Sequence, residues 1–174
     1  MDKVKQSKSI ALVGMPGCFK STVGKILAEK LSRTFYDSDA LYCEIHAVSI
    51  GETFKSEGEA VFRAREAVII AAVSQKENAV IATGGGAVLR QDNTAALKAN
   101  CVVIELCASV PIIFERIKND VSRPLLADMR IETVEKLYAA RKEQYGSAAD
   151  FRVDTEHKKP DEIANEIIRL CKLN

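Results

Sequence analysis

Residues 8–28, KSIALVGMPGCFKSTVGKILA, constrain the fold more than any other stretch of the chain. An apolar run, Ile10 to Val13, stops at Gly14. A tight loop follows through Met15, Pro16, Gly17, Cys18 and Phe19. Lys20, Ser21 and Thr22 then open a helix with apolar positions at Val23, Ile26 and Leu27. Strand, glycine-bearing loop, Lys-Ser and helix, in that order, make a phosphate-binding loop. Free backbone N–H groups at a helix start point at an anion, and the helix dipole favours negative charge there. In such a loop Lys20 reaches the outer phosphates and the Ser21 hydroxyl serves Mg²⁺. The pattern G-x-x-x-x-G-K-[ST] wants Gly where this chain has Phe19. A strand, turn and helix also occur in α/β proteins that bind no nucleotide, so the remaining residues have to decide.

The chain has 174 residues and a net charge of +1. That length suits one domain with a real core. The near-zero charge provides no global field for nucleic acid or membrane, so any anion site must be local. No segment is long and apolar enough to span a bilayer. The opening MDKVKQSKSI lacks the apolar core of a signal peptide. Five cysteines, without C-x-x-C pairs, read as reduced thiols of a cytoplasmic protein. Cys101 and Cys107 sit at the ends of a strand pattern and read as core or edge fillers. Cys18, in the loop, is a candidate for exposure.

Apolar strand-like runs alternate with helical patterns, which predicts a parallel sheet covered on both faces. Strands are expected at 9–13, 34–37, 79–82, 101–106 and 151–153. Helices are expected at 20–32, within 40–58, and at 59–75, 92–99, 111–118, 131–145 and 160–172. Residues 119–130 read as a long polar loop. The result is a three-layer α/β/α domain around a five-stranded parallel sheet. Ligands in such sheets sit beyond the carboxyl ends of the strands. Gly14, Asp37, Asp39 and Gly84–Gly86 all fall there and should share one cleft.

Each of these groups has a functional and a plain reading. Asp37 and Asp39 can serve Mg²⁺ or a substrate hydroxyl, and in an extended segment both would leave on one face. They would equally cap the following helix. Gly84, Gly85 and Gly86 let backbone approach a ligand closely, and three glycines exceed what a turn requires. Arg63 can grip a carboxylate in bidentate fashion or simply pair with Glu66 on a helix surface. Arg123, in the long loop, suits a mobile lid that excludes water and stabilises a moving phosphoryl group, or a solvated surface. Arg141, with Tyr145 one turn on, either reaches the cleft or covers its helix.

The ordered set resembles shikimate kinase, in the P-loop group similar to nucleoside-monophosphate kinases. It comprises the loop Gly14 to Thr22 with Gly24, then Phe35-x-Asp37-x-Asp39 and Phe54-x-x-x-Gly58-Glu59-x-x-Phe62-Arg63-x-x-Glu66. It continues with Thr83-Gly84-Gly85-Gly86-Ala87-Val88, Arg123-Pro124-Leu125-Leu126, Arg141-x-x-x-Tyr145, and Val153-Asp154-Thr155 before Pro160. The resemblance implies transfer of the γ-phosphoryl group of ATP to the 3-hydroxyl of shikimate, with Mg²⁺. It implies one kinase domain over 1–174, a substrate region near 37–66 and a lid near 119–130. Gly14, Gly17, Cys18, Phe19, Lys20, Ser21, Thr22, Arg116, Arg123 and Lys158 would meet ATP. Asp39, Arg63, Gly84, Gly85, Gly86 and Arg141 would hold shikimate, with Phe54 and Phe62 as walls. Asp37, Lys20 and Arg123 would be catalytic, and Ser21 with Asp37 would serve the metal. The expected protein is a cytoplasmic monomer acting on small molecules.

Phe19 departs from the family pattern, and positive φ at a Phe predicts strain. Its ring is expected over the site or against the lid, with weakened ATP binding or a shifted loop. Two other readings stand beside the first. One is a different small-molecule kinase of the group, of gluconate type. The other is a shikimate-binding protein without turnover.

Overall fold

The structure, a computed structural model, describes residues 8–118 and 130–172. The expected lid therefore lies outside the described residues except for Arg130, and so does Arg123. Among the described residues five strands form one sheet: β1 (Ser9–Val13), β2 (Thr34–Asp37), β3 (Ala79–Ala82), β4 (Cys101–Cys107) and β5 (Phe151–Asp154). Their order is β2-β3-β1-β4-β5, with every pairing parallel. Every residue of β1, β3 and β4 is buried. That is why these strands read as largely apolar runs, Ser9 and Glu105 being their buried polar residues: parallel strands with helices on both faces have no solvent side. β2 and β5 are the edges and are partly exposed.

Register sets the position of the site. Asp37 of β2 and Leu12 of β1 both lie opposite Ala82 of β3. The backbone N–H and side-chain hydroxyl of Thr83 both donate to the Leu12 carbonyl, at 3.1 and 3.0 Å. Three strands thus end level, and the segments after Val13, Asp37 and Ala82 leave the sheet at one edge.

The helices are α1 (Lys20–Lys30), α2 (Ser38–His46), α3 (Ile50–Ser56), α4 (Glu59–Ser74), α5 (Gln91–Asn100), α6 (Val110–Ile117), α7 (Ile131–Ala139), α8 (Lys142–Ala148) and α9 (Pro160–Cys171). α1 packs on α9, and α4 packs on α5. A 3₁₀ turn at Ala87–Leu89 follows the glycine triplet. Two expected helices are broken. The region 40–58 divides at Ala47, whose φ of 52° is left-handed, and restarts with a capping box from Ser49 to Glu52. The expected helix 131–145 stops at Ala139, and Arg141 caps a new helix with φ of −121°. The break turns Arg141 inward, where it is only 5% exposed.

Candidate active site

The phosphate loop is shaped by three residues with positive φ. Gly14, at 137°, passes so close to β4 that a Cβ there would lie 2.2 Å from the Leu106 carbonyl oxygen. Gly17 has φ of 82°. Phe19, the N-cap of α1, has φ of 64° and ψ of 18°. A left-handed conformation costs an L-residue about 1–2 kcal/mol, so the predicted strain is present. α1 begins directly after Phe19, at Lys20, and the Val23 N–H donates to the Phe19 carbonyl at 2.8 Å. The α1 N-terminus carries no side-chain cap. Its N–H groups are thereby left to an anion. Lys20 Nζ lies across the loop and donates to the carbonyls of Gly14 and Met15 at 2.8 and 2.9 Å. Cys18 is not exposed. Its N–H closes a turn onto the Met15 carbonyl, its side chain is buried in the core, and burial pushes its thiol up to about 11. A loop that curls over the end of the sheet turns side chains into the core, and here Met15 and Cys18 are the ones buried.

Asp37 takes the capping role, and its second oxygen faces the Ser21 hydroxyl. Its Oδ1 caps α2 by accepting from the N–H groups of Asp39 and Ala40 at 3.0 and 3.3 Å. Its Oδ2 accepts from the Ser21 hydroxyl at 2.5 Å. The extended-segment argument for Asp37 and Asp39 fails, because α2 begins at Ser38 and puts Asp39 in its first turn. Both carboxylates still line one cleft, since the strand end and the first helical turn face the same edge. Ser38, unremarked in the sequence, is buried between them and its Oγ accepts from the Gly84 N–H at 2.9 Å. A small hydroxyl flanked by two carboxylates at a strand end was the available signal.

The glycine triplet is crowded from three sides. A Cβ on Gly84 would lie 2.6 Å from Asp39 Oδ1 and 2.8 Å from Glu66 Oε1. One on Gly85 would lie 2.9 Å from Pro16 Cδ, and one on Gly86 2.4 Å from Arg63 Nη2. None of the three has positive φ. Close approach, rather than backbone freedom, requires glycine here.

Around this loop stand the expected cationic groups. Arg141 Nη1 and the Tyr145 hydroxyl both donate to the Gly85 carbonyl, at 3.1 and 2.5 Å. Arg63 Nη1 pairs with Glu66 Oε2 at 2.8 Å and Nη2 with Glu59 Oε1 at 3.2 Å. The surface-pair reading of Arg63 and Glu66 is thus geometrically right, yet neither residue is at the surface: their side chains are 13% and 3% exposed. Glu66 Oε1 accepts no hydrogen bond among the described residues. Burial raises the Glu66 pKa, with Asp39 adding to the rise and Arg63 opposing it. Phe54 and Phe62 lie 5.0 Å apart, centroid to centroid, and Tyr42 stacks on Phe62 at the same distance. The Arg63 guanidinium sits 5.0 Å from the Phe62 ring centre.

Arg116 reaches from α6 to Gly17 and Thr155, and Phe19 lies against it. Lys158 does not join the cleft lining; its ammonium bonds Glu166 at 2.7 Å. The cleft itself holds about 270 Å³. Its lining runs from Lys20, Ser21 and Thr22 past Asp37 and Asp39 to Gly85, with Arg116 at the other end.

A phosphate loop at the end of a parallel sheet, facing a carboxylate and a second, cation-ringed loop, defines a P-loop small-molecule kinase. Comparison with known proteins gives the family. A family model described as shikimate kinase matches residues 16–172. A shikimate kinase of Hahella chejuensis is 40% identical over 98% of this chain and 89% of its own length. One from Chromohalobacter salexigens is 42% identical over 94% of this chain and 92% of its own. The structure of Acinetobacter baumannii shikimate kinase in complex with shikimate superposes with a TM-score of 0.91. It is 33% identical and covers 95% of this chain and 93% of that one. The chain belongs to the shikimate kinase family.

Proposed function

We propose that the protein transfers the γ-phosphoryl group of ATP to the 3-hydroxyl of shikimate, giving ADP and shikimate 3-phosphate. The observation that carries this reading is the convergence on Gly84–Gly86. Asp39, Arg63 and Arg141 all press on this one loop, which meets Pro16 of the phosphate loop. Two guanidinium groups suit the carboxylate of shikimate, and Asp39 suits its ring hydroxyls. A site that hydrogen-bonds each hydroxyl rejects analogues lacking them, because its own polar groups would be left unpaired.

In the proposed reaction the 3-hydroxyl oxygen bonds to the γ-phosphorus. The bond from that phosphorus to the β,γ-bridging oxygen breaks, and ADP leaves with the electron pair. Asp37 is placed to accept the hydroxyl proton or to orient the attacking oxygen. Lys20 supplies positive charge to the transferring group. The donors present fit Mg²⁺: Ser21 Oγ and Asp37 Oδ2 are hard oxygens 2.5 Å apart. Among the described residues no cluster of three or more His, Cys, Asp or Glu could hold a metal alone. That agrees with an ion carried mainly by phosphate oxygens and water. When bound, Mg²⁺ would neutralise developing charge on the phosphates.

No helix among the described residues is long and apolar enough to cross a membrane. The test is ADP release from ATP and Mg²⁺, measured with shikimate, with gluconate and with neither. Release that depends on shikimate, with a phosphorylated product by mass spectrometry, is expected. Release only with gluconate, or none above background, would refute the proposal.

A further inference from the structure

We propose that Phe19 is a positioning residue for the nucleotide base. Its ring holds the Arg116 guanidinium flat, so that the opposite face of that guanidinium becomes a platform for a purine. The inference rests on the nucleotide-binding reading above.

The geometry is specific to this pair. Arg116 Cζ lies 4.0 Å from the centre of the Phe19 ring. That is a stacking distance for a cation on an aromatic face. The guanidinium edge is already committed, since Nη1 donates to the Gly17 carbonyl at 3.2 Å and to Thr155 Oγ1 at 2.9 Å. Nη2 donates to the Thr155 carbonyl at 2.8 Å. All three acceptors are neutral oxygens, so these bonds fix the plane without cancelling its charge. With three of its five N–H donors held and one face against Phe19, the guanidinium has its other face left for a flat ligand. A planar cation presented face-on suits an electron-rich aromatic ring rather than a phosphate, which would seek the N–H edge. Arg116 lines the same cleft as Lys20, Ser21 and Thr22. A base stacked there belongs to the nucleotide whose phosphates the loop holds.

This explains why a bulky residue persists at a left-handed position. The Phe19 backbone is anchored as the first acceptor of α1, so its ring direction is set by the loop itself. A glycine at this position would hold phosphate equally well and leave Arg116 with one face bare.

The test compares ADP with pyrophosphate, both with Mg²⁺, by calorimetry. The two ligands carry the same number of phosphates, and only ADP has a base. Phe19→Asn removes the ring while keeping a residue that tolerates the left-handed conformation. It is expected to weaken ADP binding by about tenfold while pyrophosphate binding holds. Phe19→Tyr, which keeps a ring, restores ADP affinity. In an Arg116→Ala background Phe19→Asn causes no further loss, because the ring acts through Arg116. In turnover the loss falls on KM for ATP rather than on kcat. Unchanged ADP affinity in Phe19→Asn overturns the proposal, and so does an equal loss for ADP and pyrophosphate. Because neither ligand requires shikimate, these outcomes are independent of whether the wild type phosphorylates it.

Discussion

Tyr145 and Gly85, 60 residues apart in sequence, are joined by a hydrogen bond of 2.5 Å from the phenol hydroxyl to the peptide carbonyl. Arg141 donates to the same oxygen. After the helix break before α8, two donors thus meet one carbonyl of the glycine loop. Tyr145→Phe removes one of them and leaves the ring in the core. It is expected to cost about 1 kcal/mol in stability and to raise KM for shikimate severalfold, with Arg141 still in place. Chemical denaturation and steady-state kinetics check this. Wild-type values in both would show that Tyr145 merely packs.

Gly86→Ala should act on the substrate side. The new Cβ would fall within 2.6 Å of the Arg63 guanidinium carbon and both its terminal nitrogens. The obstacle is the end of a flexible side chain, so the fold accommodates it by moving Arg63. The melting temperature is expected to change little, while KM for shikimate rises by about tenfold or more from loss of a charged contact. A large drop in melting temperature with unchanged KM would contradict this.

Glu105 gives a pH dependence. It is 3% exposed on β4, its nearest cation is Arg152 at 3.6 Å, and burial raises its pKa above the ordinary 4.5. A raised pKa in the folded state means that the stabilising contribution is complete below the unfolded pKa. It is lost as pH rises through the folded value. Glu105→Gln removes that loss. Measured by urea unfolding, the variant should gain on the wild type as pH rises from about 4 to about 8. An offset that stays constant across the range would show that Glu105 does not titrate with folding.

Thiol labelling follows burial. Cys43 is exposed, whereas Cys18, Cys101 and Cys107 are buried. Burial pushes the Cys18 and Cys101 thiols up to about 11 and raises that of Cys107. Only the thiolate reacts quickly. Iodoacetamide near pH 8 is therefore expected to modify Cys43 first, the half-buried Cys171 more slowly, and the three buried cysteines only in denaturant, as read by peptide mass spectrometry. Rapid labelling of native Cys18 would place it outside the core.

The sheet was legible because its central strands are short, largely apolar runs, while the edge strands carry aromatic residues between polar ones. The cleft was legible because Gly14, Asp37 and Gly84 follow such runs, and level strand ends bring them together. The break at Ala140 and Arg141 was hidden, since neither residue is a helix breaker and the cause lies across the molecule at the Gly85 carbonyl. The burial of Cys18 was hidden for a similar reason: a loop's exposure depends on how it curls over the sheet. Lys158 was expected at the nucleotide, but Glu166 one helix face away holds its charge. The partner of Phe19 was beyond reach, because Arg116 comes from a distant helix and only the fold puts the two in contact.

The glycine triplet also limits how this protein can be redesigned. Its three α-carbons abut Asp39 with Glu66, Pro16, and Arg63 in turn. A Cβ at any of the three would have to displace one of these neighbours. The loop therefore offers an engineer no handle for a new acceptor. A change of specificity has to be written on the side chains facing it, with the peptide between them left as it is.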